Sequence, residues 1–171
     1  MDAAGLREIQ APMKERYRRD PAAARVTLSA EGALDEEVTC SVQTGRALVQ
    51  AGLHPGTGGD GRSACSGDML LQALVACAGV TMGSVAMSMG LTVSGTVRAE
   101  GDLDWRGTMS VDKETPVGFT DIRLYFHVDS TATPDELATL LRLTQRYCVV
   151  YQTLKDSPAM TVSIEASAPP A

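Results

Sequence analysis

The longest apolar stretch of the chain, from Met69 to Met89, constrains the fold more than any other feature. It is long enough to cross a membrane, but scattered polar residues interrupt it and no basic anchors flank it. The interrupting residues are Gln72, Thr81, Ser84 and Ser88. A helix that is apolar on all sides has to be covered by other parts of the protein. We therefore predict a fully buried central helix and no association with a membrane.

The composition indicates one acidic domain. The chain has 171 residues and a formal net charge of -6, which argues against non-specific binding to nucleic acid or anionic membranes. Aromatic residues make up only 4%, so small aliphatic residues must build the core, and self-association is favoured. The first twenty residues are charged and lack the apolar region of a signal peptide. We expect a cytoplasmic protein whose cysteines stay reduced.

Periodicity and breaker residues predict a mixture of helices and strands. Residues 1–22 should form an N-terminal helix or arm that Pro21 ends, and residues 23–171 should form the domain. Strands are predicted at 25–30, 37–42, 46–51, 91–100, 122–128 and 160–165, the first three as an antiparallel meander. Helices are predicted at 134–146, capped by Thr133, and at 148–154. The region around Trp105 fits a strand or a loop.

A glycine-rich loop precedes the central helix, with Gly56, Gly58 and Gly61 in a G-x-G-x-x-G spacing. A dinucleotide site also needs a βαβ unit and an acid about 20 residues further on. No acid occurs between Asp68 and Glu100, so the loop is interpreted as one that needs unusual backbone angles or close approach of another segment. Two histidines and no C-x-x-C pair make a zinc site unexpected, and no cofactor is predicted.

The four cysteines are the remaining candidates for chemistry. Cys40 lies in a strand pattern, where a buried and inert thiol is the simplest interpretation. Cys65 lies at the mouth of the central helix, Cys77 lies within that helix, and Cys148 marks a junction between two helices. Composition alone favours core packing for Cys77 and Cys148. Their sequence context has to show whether they are core residues or reactive thiols.

Two segments supply that context. Residues 65–77 read CSGDMLLQALVAC, which is an acid, apolar residues, a run of small residues and then a cysteine. Residues 147–154 read YCVVYQTL, a cysteine followed by valines and, six residues later, a leucine. Over roughly residues 24–166 the chain therefore resembles the OsmC/Ohr family (osmotically induced / organic hydroperoxide resistance). Val149 stands where that family usually has a proline.

The resemblance implies an α+β fold in which two chains interlock as a homodimer. Antiparallel sheets from both chains would wrap around paired, buried central helices. It also implies reduction of organic hydroperoxides, in which Cys77 attacks the peroxide and Cys148 resolves the sulfenic acid as a disulfide. An external dithiol or lipoyl-type reductant would restore the thiols. The alternative is a non-catalytic or redox-sensing module of this fold that binds a small apolar ligand in the dimer cleft.

The Cys77 thiol needs activation, and the N-terminus of its own helix is too far away to provide it. The resemblance implies that an arginine, held in place by a carboxylate, activates the thiol. The candidates are Arg46 and Arg62, which are nearest in sequence, and Arg18 or Arg19 from a partner chain.

The carboxylate candidate is Asp68, nine residues before Cys77, because Gly67 occupies the position where the best-known branches have a glutamate. A nine-residue step turns an ideal helix by about 900°, which puts Asp68 opposite Cys77. Asp68 is therefore either only a first-turn helix acid, or it acts in the site because the first turn is irregular or because it orients an arginine from the partner chain. Cys65 is an alternative resolving thiol.

Overall fold

The computed structural model describes residues 3–34, 40–42, 51–62 and 64–164. The strands are β1 (Arg25–Leu34), β2 (Cys40–Val42), β3 (Ala51–Gly52), β4 (Ala64–Cys65), β5 (Ser94–Asp104) and β6 (Asp121–Asp129). The helices are α1 (Ala3–Arg19), α2 (Ser66–Ser88), α3 (Trp105–Thr108), α4 (Pro134–Tyr147) and α5 (Val149–Lys155). The predicted α+β class, with an antiparallel sheet and a central helix, is confirmed.

The main sheet has the strand order β2-β1-β5-β6, and each neighbouring pair is antiparallel. Strand β1 pairs with β5 along its whole length. In β5 the buried apolar side chains alternate with more exposed ones, as a sheet with one covered face requires. These buried residues are Val97, Ala99 and Leu103. The covered face of the sheet is the surface on which the central helix packs.

Helix α2 is that central helix. The side chains that it buries against the sheet are at most 1% exposed: Leu71, Leu74, Val75 and Ala78. Its opposite face is open in the single chain, where Val80 is 38% and Met87 is 59% exposed. Within one chain the described sheet and helices cover one side of α2, and the prediction assigns its other side to a second chain. The predicted homodimer stays a prediction, and the mass of the protein in solution tests it.

Helix α2 is also long and apolar enough to cross a membrane. Its buried face, however, forms the main hydrophobic core of this chain together with strand β5. The helix begins at Ser66, so Cys65 occupies the N-cap position, and the Cys65 side chain makes no capping hydrogen bond. Asp68 lies in the first turn as predicted.

Helix α4 runs antiparallel to α2. Leu140, in the middle of α4, packs on Met82 and Ala86, whereas Cys148 at its C-terminal end is hydrogen-bonded to Cys77. Thr133 caps α4 as predicted: its hydroxyl accepts the Glu136 N–H, and the Glu136 carboxylate accepts the Thr133 N–H. The antiparallel packing brings the C-terminal end of α4 beside the middle of α2.

Three strand predictions need correction. Ala51, predicted to end the third strand of the meander, belongs to β3, which pairs in parallel with β4 in a separate two-stranded sheet. The rest of that predicted strand lies outside the described residues. Residues 160–164 form no strand, although Met160, Val162 and Ile164 alternate as a strand would and are 85%, 87% and 92% exposed. Alternation marks a side that can be buried, but a strand also needs a neighbour to pair with.

The region around Trp105 is the third correction, because Trp105 begins the short helix α3, capped by Asp104. The indole approaches the glycine loop so closely that a Cβ on Gly56 would lie 2.5 Å from its Nε1. The His54 ring stacks on the same indole with centroids 5.0 Å apart. Gly58 has a φ of 96°, in the left-handed region. Close approach and unusual backbone angles, the two explanations predicted for this loop, are both confirmed.

Helix α1 holds the other side of the glycine loop. The Tyr17 hydroxyl donates to the Gly56 carbonyl at 2.8 Å, and the Gln10 amide donates to the Thr57 carbonyl at 2.8 Å. Tyr17 is only 5% exposed. The loop is thus a packing element between α1 and α3, and this explains why glycines are needed there.

Candidate active site

The fold brings Cys77 and Cys148 together. Cys77 lies about three turns into α2, and Cys148 lies between α4 and α5, where it is the C-cap of the first helix and the N-cap of the second. The two side chains are hydrogen-bonded to each other, and both are free thiols. Cys148 is fully buried and Cys77 is half-buried. The sulfur that stays partly accessible is therefore that of Cys77.

The two thiols have different acidities. Burial disfavours the Cys77 thiolate, but hydrogen bonds from the backbone of Val150 and Val149, from Cys148 and from Thr81 outweigh it and lower the pKa of Cys77. Burial, and after it the neighbouring Cys77, raise the pKa of Cys148 to about 11, against a hydrogen bond from the Tyr151 N–H that lowers it. At neutral pH Cys77 is the readier nucleophile and Cys148 a protonated hydrogen-bond donor to it.

Arg62, the nearby arginine that the structure describes, is not among the main groups that lower the Cys77 pKa, and an arginine from a partner chain stays a prediction. None of the strongest influences on the pKa of Cys77 is an arginine. Arg62 lies before α2, its side chain is 89% exposed, and its partner is Asp60 at 3.9 Å. Arg18 and Arg19 both pair with Glu15 on α1. Arg46 lies outside the described residues.

Within this chain, backbone N–H groups help to lower the pKa of Cys77. The chain turns at Cys148 so that the first amides of α5 have no intrahelical acceptor, and two of them face the Cys77 sulfur. This arrangement depends on a helix that is distant in sequence. The N-terminus of α2 itself is too far from Cys77 to act, as predicted.

Asp68 is not close to Cys77. Nine residues of helix separate them by roughly 13 Å along the axis. Burial raises the pKa of Asp68, and an electrostatic interaction with His54 of the glycine loop opposes this effect. Of the two interpretations that the sequence left open, the geometry supports the first-turn helix acid.

Cys65 is also separated from Cys77. As N-cap of α2 it lies twelve residues earlier, or about 18 Å along the helix axis. A disulfide requires Cα atoms within about 7 Å, so Cys65 cannot resolve Cys77 of the same chain. The side chain of Cys40 lies outside the described part of the structure.

A groove of about 770 Å³ lies near the cysteines, although neither cysteine lines it. It lies between strand β6 and helix α5, and its apolar lining includes Ile122, Leu124, Phe126 and Leu154. Leu74, one turn before Cys77 on α2, and Tyr151, whose N–H bonds the Cys148 sulfur, also line it. The groove therefore ends within one helical turn of both thiols.

Sequence reasoning missed two contributors to this site. Thr81 stands four residues after Cys77, and residues four apart share one face of a helix, so the spacing alone could have indicated it. The Val149 and Val150 contributions come from the backbone, to which no residue type is specific. No sequence pattern could have identified them.

The acidities predict different alkylation profiles for the two thiols. We expect iodoacetamide to label Cys77 with a midpoint below the ordinary thiol value and Cys148 only near its pKa of about 11. A lowered pKa means that reactivity is retained as the pH falls toward neutrality and is lost only below the Cys77 midpoint. Mass spectrometry of peptides after short pulses across pH measures both midpoints. A Cys77 midpoint at or above the ordinary thiol value would contradict the assignment.

Comparison with known proteins agrees with this fold. Residues 59–163 match a family model described as OsmC-like protein. The structure is similar to the crystal structure of an OsmC-like hydroperoxide resistance protein from Jannaschia sp. CCS1, with a TM-score of 0.62 and 14% sequence identity. The similarity covers 85% of this chain and 97% of the other. No curated protein sequence matches the chain. At this identity the structural likeness concerns the fold alone.

Proposed function

This chain belongs to the OsmC-like protein family, and on that premise we propose that it reduces organic hydroperoxides through Cys77 and Cys148. The observation that carries the proposal is the contact between the two thiols, one with a lowered and one with a raised pKa. Opposite shifts in a touching pair are what a nucleophile and its resolving partner require. The structural neighbour named as a hydroperoxide resistance protein supports the same class of reaction.

The first step of the proposed reaction forms a bond between Cys77 and oxygen. The Cys77 thiolate attacks the terminal oxygen of the hydroperoxide, the S–O bond forms and the O–O bond breaks. The alkoxide leaves with the electron pair of that bond and takes a proton to become the alcohol. Cys77 is then a sulfenic acid, oxidised by two electrons. The groove beside Leu74 and Tyr151 offers an apolar surface to the organic part of the substrate.

The second step forms the disulfide. The Cys148 thiol loses its proton and attacks the Cys77 sulfur, the S–S bond forms, and the sulfenic oxygen leaves as water. The charge of the Cys77 thiolate is one cause of the high pKa of Cys148, and a neutral sulfenic acid removes that cause. The resolving thiol is thus easier to ionise after Cys77 is oxidised than before. An external dithiol then reduces the disulfide by two exchange steps and becomes a disulfide itself.

The test is the identity of the oxidised product. We expect one equivalent of cumene hydroperoxide to give a Cys77–Cys148 disulfide, identified by peptide mass mapping after thiol blocking. Because Cys148 is in contact with Cys77, the disulfide should form without exposure of the core. Cys65 should be recovered as the blocked thiol and serves as the internal control. A protein that binds the hydroperoxide with both thiols unchanged would instead be the ligand-binding module.

A further inference from the structure

One buried hydroxyl near the cysteine pair has no partner. Thr144, on α4, is 1% exposed, and its Oγ1 makes no hydrogen bond. Among the residues that the structure describes, no other buried side-chain oxygen or nitrogen is in this state. An unpaired buried hydroxyl is unfavourable, and valine would fill the same space without that penalty. The threonine therefore calls for an explanation other than packing.

The position of Thr144 relates it to the reacting sulfurs. It lies four residues before Cys148, one helical turn away, and its carbonyl accepts the Cys148 N–H at 2.9 Å. Thr81 lies four residues after Cys77 on α2, and its hydroxyl donates to the Cys77 carbonyl at 2.7 Å. Helices α2 and α4 are antiparallel, so a step of four residues backward from Cys148 and one of four residues forward from Cys77 go in the same direction. Thr144 and Thr81 therefore lie side by side along the interface between the two helices, one turn from the cysteine pair. One turn beyond, Leu140 packs on Met82 and Ala86.

Thr81 and Thr144 differ in what they do at rest. Thr81 already has an acceptor and is one of the groups that lower the pKa of Cys77. Thr144 is absent from the main influences on either thiol. A donor that has no acceptor while the thiols are reduced can obtain one when an oxygen atom is added to the pair.

We propose that the Thr144 hydroxyl donates a hydrogen bond to the peroxide oxygen that becomes bonded to Cys77, and so stabilises the transition state and the sulfenic acid. This inference rests on the proposed peroxidase function. Negative charge grows on both oxygens as the O–O bond breaks and the S–O bond forms, and a donor fixed in a dry site is effective there. The unpaired hydroxyl of the resting enzyme is then a pre-positioned donor, and its partner arrives with the substrate.

The test compares Thr144→Val with Thr144→Ser. Valine keeps the shape and removes the donor, so we expect cumene hydroperoxide to oxidise Cys77 about 10- to 100-fold more slowly. Serine keeps the donor and should stay within a few-fold of the wild type. The melting temperature of Thr144→Val should equal or exceed that of the wild type, since an unpaired buried hydroxyl is lost. Thr153→Val, exposed on α5, is the matched control and should oxidise at the wild-type rate.

The alkylation profile of Cys77 separates this role from a merely structural one. Thr144→Val should leave the iodoacetamide midpoint unchanged while the peroxide step slows, whereas Thr81→Val should raise the midpoint. Wild-type oxidation of Thr144→Val, or a slowing matched by a raised midpoint, overturns the inference and leaves the cysteine chemistry standing. If Cys77→Ser reduces peroxide as fast as the wild type, the proposed function itself fails.

Discussion

Replacing Cys77 with serine is expected to abolish reduction of organic hydroperoxides. Serine has nearly the same size, but its hydroxyl does not ionise near neutral pH, so the backbone N–H groups of Val149 and Val150 have no anion to stabilise. The reaction loses its nucleophile, and we expect activity to fall by about 10³-fold or more. The measurement is consumption of cumene hydroperoxide with a dithiol reductant in excess.

Cys65→Ser is the matched control for that variant. Cys65 is also a half-buried thiol, at the N-cap of α2, but it lies about 18 Å from Cys77 along the helix. Its replacement should leave peroxide consumption unchanged. Substantial activity in Cys77→Ser, or equal losses in both variants at unchanged melting temperature, would place the chemistry elsewhere in the protein.

Replacing Cys148 with serine is expected to separate the two steps. Serine is a preferred N-cap residue and can still donate to the Cys77 thiolate, so α5 and the Cys77 environment should persist. We expect the first oxidation to proceed and to stop at a sulfenic acid on Cys77, which dimedone traps. Steady-state turnover should fall to near background, and excess peroxide should carry Cys77 on to the sulfinic acid.

The mass of the Cys77 peptide checks this prediction, with and without dimedone. The Cys65→Ser, Cys148→Ser double variant tests whether any residual turnover passes through Cys65, and it should behave as Cys148→Ser does. Wild-type turnover in the double variant would show that the external dithiol resolves the sulfenic acid directly. Cys148 would then be a capping residue of α5 and no more.

The sequence was sufficient for most of the secondary structure. Local signals specified these elements: Pro21 after α1, the apolar stretch of α2, and the capping box of Thr133 and Glu136 at α4. Each signal lies within one continuous segment of the chain, so it can be interpreted without knowing the fold. The strand prediction for residues 160–165 was wrong because pairing depends on a neighbouring edge, which local alternation does not specify.

The candidate site, too, could be predicted from the sequence only in part. The residue motifs around Cys77 and Cys148 identified two thiols by resemblance, and the structure brings the two into contact. No arginine is among the main groups that shift the pKa of either thiol. Ordinary helix geometry separates Asp68, the acid nine residues before Cys77, from that thiol, and the residue that influences Asp68 electrostatically is His54.

The sequence by itself determined which residues are available: an apolar helix carrying Cys77, a second cysteine at a helix junction, and threonines one turn from each. Only the tertiary structure decided which thiol is the more acidic. That difference arises because α4 packs antiparallel on α2 and turns at Cys148, which directs free N–H groups at one sulfur and buries the other. Acidity depends on burial and on oriented dipoles within a few ångströms, and residues distant in sequence supply both.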